Sequence, residues 1–189
     1  MRRGIAVGLF ALCLVAATPF IAHADAELFP EPTALKPDVA FWVRIYTDVG
    51  TQAGLIHDSR DLSVVYEEIE FPEGTRRVER ERRIQAAKRR ISSALKSLAR
   101  GNRKGLNSTE KRALAAWSGA NSRPTLRSAA SHVRFQSGQA DRFREGLIRS
   151  GRWEPCILEN FKEMGIPQDL VALPHVESSF NPNVYSRIG

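Results

Sequence analysis

Residues 75–100 read "TRRVERERRIQAAKRRISSALKSLAR", and this stretch carries the longest helical signal in the chain. Its apolar residues recur at steps of three and four, a spacing that places them on one face of a helix. Gly101 follows as a stop signal. The chain is therefore predicted to be organised around one long amphipathic helix, whose apolar face comprises Ile84, Ala87, Ile91, Leu95 and Leu98.

The other face of this helix is strongly basic. Between Glu73 and Lys104 there are twelve lysines and arginines against three acids, a net charge of +9. Three interpretations are open: a solvated helix face, a positive surface held close to an anionic wall polymer or membrane, and a nucleic-acid surface. Because no aromatic residues are interleaved with the arginines to stack on bases, we expect no nucleic-acid partner.

Two runs upstream of the basic helix predict a small N-terminal β-hairpin. Residues 53–58 (AGLIHD) precede residues 61–71 (DLSVVYEEIEF), which are rich in β-branched and aromatic residues. Residues 38–49 are ambiguous. Their three- and four-residue spacing favours a helix with Asp38 as N-cap, whereas the alternation of Phe41, Val43 and Ile45 favours a strand.

Downstream of the basic helix, the pattern stays helical. Residues 108–118, 138–151 and 154–165 each have helical spacing, and a last helix is predicted to begin at Pro167 and to carry Glu177 near its end. The fold class predicted from the residues is therefore mainly α, with the small β-hairpin as its only sheet.

The first 24 residues have the layout of a secretory signal peptide. A short basic start precedes an apolar run over 5–17, and Ala22-His23-Ala24 forms a small-x-small cleavage site. A membrane anchor is less favoured because the run is short and is interrupted by Pro19. Lipid attachment at Cys13 is disfavoured by the bulky Leu12 before it. Removing residues 1–24 from the 189-residue chain leaves 165 residues and lowers the net charge from +7 to +5, because two arginines leave with it.

Cysteine and histidine usage does not indicate a disulfide or a metal site. Cys156 is the one cysteine after residue 24, and we expect it to be a buried small hydrophobic residue. His57, His132 and His175 are scattered singly, without ligand spacing. The sequence therefore predicts no metal and no cofactor.

The last twenty residues, "LVALPHVESSFNPNVYSRIG" (170–189), place Glu177 after an apolar helical run. Partial burial and a helix C-terminus both disfavour a charged carboxylate, which predicts an acid able to stay protonated and to donate to a leaving oxygen. Asn181-Pro182 then breaks the helix and would leave the acid on the lip of a cleft. The structural alternative is that Glu177 is a solvated or capping residue, as most glutamates near helix ends are.

This segment resembles the catalytic motif of the lytic transglycosylases, the lysozyme-like enzymes that cut bacterial peptidoglycan. Val184 stands where that family usually has alanine. Residues 41–71 and 141–174 resemble the leader region of periplasmic enzymes related to the membrane-bound type D transglycosylase. The motif positions are filled in order by Glu177, Ser178, Phe180, Pro182, Ser186 and Gly189.

The resemblance implies a lysozyme-like catalytic domain, a periplasmic location and peptidoglycan glycan strands as partner. It implies that Glu177 is the single catalytic acid and base, that Ser178 and Ser186 bind substrate, and that no cofactor takes part. The products would be 1,6-anhydromuramoyl sugars, formed without water, unlike the usual two-carboxylate hydrolysis.

The resemblance stops at Gly189, where the family continues into a Gly-x-x-Gly-Leu-x-Gln stretch that lines the substrate groove. We therefore expect a signal peptide (1–24), a helical leader region with the β-hairpin (25–150) and a truncated catalytic domain (151–189). Lacking most of the groove, the chain is expected to have little or no activity. Residues 170–180 are also expected to expose apolar surface. The alternative function is a non-catalytic wall-binding or scaffolding protein that uses the basic helix of residues 76–104.

Overall fold

The computed structural model describes residues 28–185. Within these residues the chain is mainly helical, as predicted, with six α-helices and one three-stranded sheet. The predicted signal peptide and Ser186 lie outside the described residues. The elements are α1 (Lys36–Thr47), β1 (Ala53–Asp58), β2 (Val65–Glu70), α2 (Arg77–Ala99), α3 (Ser108–Ala116), α4 (Arg123–His132), β3 (Val133–Ser137), α5 (Ala140–Met164) and α6 (Leu173–Glu177).

Helix α2 matches the prediction closely. It begins two residues later than expected and ends at Ala99, and Gly101 adopts the left-handed conformation with φ 99°. The apolar face predicted from the spacing is buried from Ile84 to Leu98. The spacing of apolar residues was sufficient to predict this helix and its buried side because the helix has one clearly apolar face.

The predicted hairpin is confirmed, and a third strand joins it. Strands β1 and β2 pair antiparallel, and β3 pairs antiparallel with the other edge of β1, so the strand order is β2-β1-β3. Leu55 lies opposite Glu68 on one side and Gln136 on the other. The central strand β1 is therefore paired at both edges, so β3 removes the one exposed edge of β1 that the hairpin alone would have left.

Residues 38–47 of the ambiguous segment lie in a helix, not in a strand. Helix α1 begins at Lys36, with Leu35 as its N-cap and Pro37 in its first turn. The prediction that Asp38 is the N-cap is therefore wrong: this carboxylate lies in the first turn, where the helix dipole favours an acid.

Helices cover both faces of the sheet. Leu55 packs with residues of α1, whereas its neighbour Ile56 packs with α2, α3 and α4. Successive strand residues point to opposite faces, so one strand serves two cores. The α1 side is completed by Phe41, Ile45 and Val49, and the larger cluster includes Ile91, Leu95, Leu98, Trp117 and Leu126.

The two helices predicted over 138–151 and 154–165 form one helix, α5, which continues through Pro155. Its first turn is attached near the end of α1, because the Asp141 carboxylate accepts a hydrogen bond from the Thr51 backbone N–H at 3.0 Å. The turn before α5 requires glycine: a Cβ at Gly138 would lie 2.1 Å from the Val49 carbonyl oxygen. The predicted domain boundary after residue 150 falls inside α5.

Candidate functional site

Glu177 is the last residue of α6, a short helix that follows a 3-10 turn over Gln168–Ala172. The predicted helix therefore exists in two parts and its α-helical part begins at Leu173, not at Pro167. Pro174 lies in the first turn of α6, where its missing N–H is not needed. These elements place the carboxylate of Glu177 at a helix end, as the sequence predicted.

The predicted partial burial of Glu177 is wrong. Its side chain is exposed, and Leu173 and Val176 of the same helix are 54% and 67% exposed. The uncovered apolar surface expected for residues 170–180 is thus found at these two residues. The carboxylate of Glu177 is therefore open to solvent.

The turn after Glu177 has an unusual backbone. Ser179 and Phe180 are both left-handed, with φ 51° and 54°. Non-glycine residues adopt this region at a cost, so the surroundings must hold the turn in place. The Phe180 N–H donates to the Pro174 carbonyl at 3.2 Å, and the Phe180 side chain is buried.

Helix α5 anchors this turn. The Ser179 carbonyl accepts a hydrogen bond from Nε of Arg149 at 2.9 Å. A Cβ at Gly146 would lie 3.1 Å from Cβ of Ser179, so glycine lets the helix and the turn approach closely. Neither Gly146 nor Arg149 was predicted from the sequence, where the one available signal was a glycine in the middle of a helical pattern.

His175 packs between two aromatic rings beneath the turn. Its ring centroid lies 4.6 Å from that of Phe180 and 5.4 Å from that of Phe143. Burial lowers the pKa of His175, against the weaker opposite effect of Glu154. Among residues 28–185, its buried Nδ1 atom has no hydrogen-bond partner, which fits a neutral ring that helps to fasten α6 to α5.

The two serines after Glu177 are engaged with α6. The Ser178 hydroxyl donates to the Pro174 carbonyl at 3.4 Å, and the Ser179 hydroxyl donates to the His175 carbonyl at 3.3 Å. Both therefore satisfy carbonyls of the last helical turn. The substrate-binding roles of Ser178 and Ser186 stay predictions.

An open apolar groove of about 390 Å³ lies along α1. Phe143 of α5 and Val176, the residue before Glu177, complete its lining, which does not include Glu177 itself. The rings of Trp42 and Tyr46 lie 6.2 Å apart on its α1 side. Because aromatic rings present flat apolar faces, this wall can take the C–H face of a sugar ring or another apolar surface.

Cys156 does not take part in a core. The sequence predicted a buried residue, but the thiol lies exposed on α5. The helix around it buries little, since Gly146 and Ser150 are its only buried residues among the described chain. An apolar neighbourhood in sequence therefore did not predict burial in this helix.

Comparison of the chain with models of known families, with curated proteins and with solved structures found no match. Across residues 28–185, no helix combines the length and the apolar character needed to cross a bilayer. A functional assignment must therefore come from the residues and from their geometry.

Proposed function

We propose that the chain carries the catalytic acid of a periplasmic peptidoglycan lytic transglycosylase, with a lysozyme-like catalytic region that begins in α5. The observation that supports this best is the setting of Glu177. Its carboxylate is exposed at the end of α6, next to a turn with two left-handed residues that α5 holds in place. A strained, anchored turn beside an accessible acid is typical of a functional site.

In this mechanism Glu177 acts first as an acid and then as a base. The protonated carboxyl donates its proton to the glycosidic oxygen between N-acetylmuramic acid and N-acetylglucosamine, and the bond from that oxygen to the muramoyl C1 breaks. The carboxylate then takes the proton of the muramoyl 6-hydroxyl, whose oxygen bonds to C1 and closes the anhydro ring. The proton count balances on one residue, so a second carboxylate is not needed.

The apolar groove supplies a place for sugar rings in this proposal. Trp42 and Tyr46 offer aromatic faces, and Val176 connects the groove to the acid along the chain. A glycan strand lying over α1 would present its sugars to these faces while one linkage reaches Glu177. This arrangement assigns substrate positioning to α1, a role that the motif around Glu177 does not indicate.

The same geometry predicts weak activity. Glu177 is open to water, and catalysis by an acid gains most when the site excludes water and fixes the substrate. We therefore expect only traces of product over long incubations.

The test is a prolonged digestion of purified sacculi, with mass analysis of the released muropeptides. The proposal predicts anhydro products, one water lighter than hydrolysed ones, which Glu177→Gln abolishes. Glu159→Gln is the matched control, because Glu159 is an exposed acid of α5 away from the turn. Water-added products, or anhydro products that survive Glu177→Gln, would contradict the proposal.

A second candidate, wall binding without catalysis, is favoured by the basic face of α2, where Lys88, Arg89 and Lys96 are all without ion-pair partners among residues 28–185. It predicts binding to sacculi that weakens steeply with salt and is unchanged by Glu177→Gln. Neutralising several cations of α2 should abolish that binding. Binding that is insensitive to those cations would exclude this candidate.

A further inference from the structure

The basic charges of α2 are not equivalent. Arg82 and Arg83 both pair with Glu79, and Arg90 pairs with Glu67 at 2.5 Å. These pairs neutralise one part of the helix surface.

Three other cations of the helix remain unpaired and share one groove. The groove has a volume of about 440 Å³ and lies where α2 meets the junction of α4 and β3. Within residues 28–185, Lys88, Arg89 and Lys96 have neither an ion pair nor a side-chain hydrogen bond, and Arg134 of β3 completes the set. Among the described residues, no acidic residue lines the groove. Four positively charged side chains therefore line one space.

Two backbone carbonyls orient the side chain of Arg134 at the groove. One of its terminal nitrogens donates to the Val133 carbonyl at 3.0 Å and to the Ser131 carbonyl at 3.2 Å. Ser93 adds a hydroxyl that is exposed at the groove. A fixed guanidinium with lysines and a hydroxyl nearby is suited to an oxyanion with several oxygens.

We propose that this groove binds a phosphate group. A monocarboxylate brings one charge and two oxygens, whereas a phosphate monoester brings a charge of about −1.5 to −2 and three terminal oxygens. The phosphate therefore satisfies more of the four cations. The site is independent of Glu177, because α5 and α6 contribute no residue to its lining.

The phosphate has two conceivable sources, a soluble phosphorylated compound and a lipid headgroup. A helix that inserts into a membrane surface combines its cations with apolar residues at the same level. On α2 the strongly exposed apolar residue is Val78, ten residues before Lys88, or about 15 Å along the helix. This separation favours the soluble source.

The test uses inorganic pyrophosphate in calorimetric titrations of the whole chain. We expect binding that the double variant Lys88→Gln/Arg89→Gln weakens about tenfold or more, since two charged contacts are lost. The matched control is Arg100→Gln/Lys104→Gln, which removes the same two residue types outside the groove and should change the affinity less than about twofold by altering the net charge alone.

A second arm uses sedimentation with vesicles of phosphatidylglycerol or phosphatidylcholine. Binding to the anionic vesicles alone, with the same dependence on Lys88 and Arg89, would support the phosphate site and assign its source to a lipid. Equal weakening by both double variants, or binding to neither probe, would overturn the proposal.

Amide chemical shifts of the unaltered chain provide a check that does not depend on the folding of a variant. Pyrophosphate should shift residues 88–96 and 131–134, and leave residues 100–104 unchanged. Shifts spread evenly over all basic segments would contradict a discrete site.

Discussion

Residues 36–137, here called the body, and residues 140–185, here called the arm, bury their side chains to very different extents. In the body, Leu55, Leu95 and Leu126 have no exposed surface. In the arm, Phe180 is the one buried hydrophobic residue among the described residues, whereas Ile148 and Met164 are 76% and 70% exposed. Burial of apolar surface therefore stabilises the body, and the arm depends on a few specific contacts.

This difference separates the two proposed sites. The phosphate groove lies on the body, at the contact of α2 with α4 and β3, and the proposed catalytic acid lies in the arm, on α6. Functional segments are commonly found in the less stable parts of a protein. The arm should therefore open while the body remains folded, and the substitutions below test that separation or the contacts within the arm.

The largest effect is expected for Leu95→Ala in the body. Leu95 is fully buried in the cluster formed by α2, α3 and α4, so the substitution should lower the free energy of unfolding by about 2–5 kcal/mol. Leu147→Ala in the arm removes the same atoms from a half-exposed position and should change it by less than about 0.5 kcal/mol. Urea denaturation followed by circular dichroism measures both. Similar losses would remove the distinction between body and arm.

Phe180→Ala should affect the arm alone. Phe180 closes the stack with His175 and Phe143, and its removal should cost about 3 kcal/mol of local stability. Hydrogen exchange should become faster in α5 and α6 and stay unchanged in α2. Val184→Ala, at an exposed position of the same segment, is the control and should change neither. Faster exchange in α2 would show that the arm is part of the main core.

Acidification should loosen the arm through His175. Burial lowers the pKa of His175 in the folded chain, against a smaller effect of Glu154, so the neutral ring is favoured on folding. The stability that the neutral His175 ring adds to the arm is therefore fully present above the pKa of about 6.5 that histidine has in the unfolded chain. It is lost as the pH falls from that value towards the lower pKa of His175 in the folded chain. The protection factors of the amides of residues 173–180, which correct for the pH dependence of intrinsic amide exchange, should fall between pH 7.5 and pH 5.

His175→Gln should remove this pH dependence. The body should keep its own acid sensitivity in that variant, because burial also lowers the pKa of His57. An arm that loosens equally with acid in the His175→Gln variant would show that another group is responsible.

The smallest predicted effect is a difference in helix stability between alanine substitutions at two glycines of α5. Gly151 faces open space, so Gly151→Ala should stabilise the helix by about 0.5–1 kcal/mol. Gly146→Ala should lose that gain, because its Cβ would lie 3.1 Å from Cβ of Ser179 in a turn with little freedom to move. Hydrogen exchange of the α5 amides compares the local stability of the two variants directly. Equal stabilisation by Gly146→Ala and Gly151→Ala would mean that the turn at Ser179 can shift to make room for the added methyl group.

The body could be predicted largely from its sequence because its signals are local. Helix α2 has one apolar face, and the β1–β2 hairpin has β-branched runs around a short connection. Strand β3 was missed because five residues are too short to show a pattern, and they pair with β1 some eighty positions earlier. Helix α4 was missed because its buried positions are Leu126 and two alanines, a weak apolar signal.

The candidate site could be predicted only in part. The position of Glu177 at a helix end follows from local pattern, and it was predicted correctly. The burial of Glu177 depends on which elements pack over α6, and that information is not local. The contacts of Gly146 and Arg149 with Ser179 span about thirty residues, so the anchoring of the turn could not be predicted from the motif.

The most direct test of the central claim, that Glu177 closes an anhydro ring without water, is a digestion of sacculi in heavy-oxygen water. We predict that the products released by the chain contain no solvent oxygen at the muramoyl C1, and that Glu177→Gln releases none of them while Glu159→Gln still does. Incorporation of one heavy oxygen per cleaved linkage would show hydrolysis, and would contradict the assignment of Glu177 as the acid and base of a lytic transglycosylase.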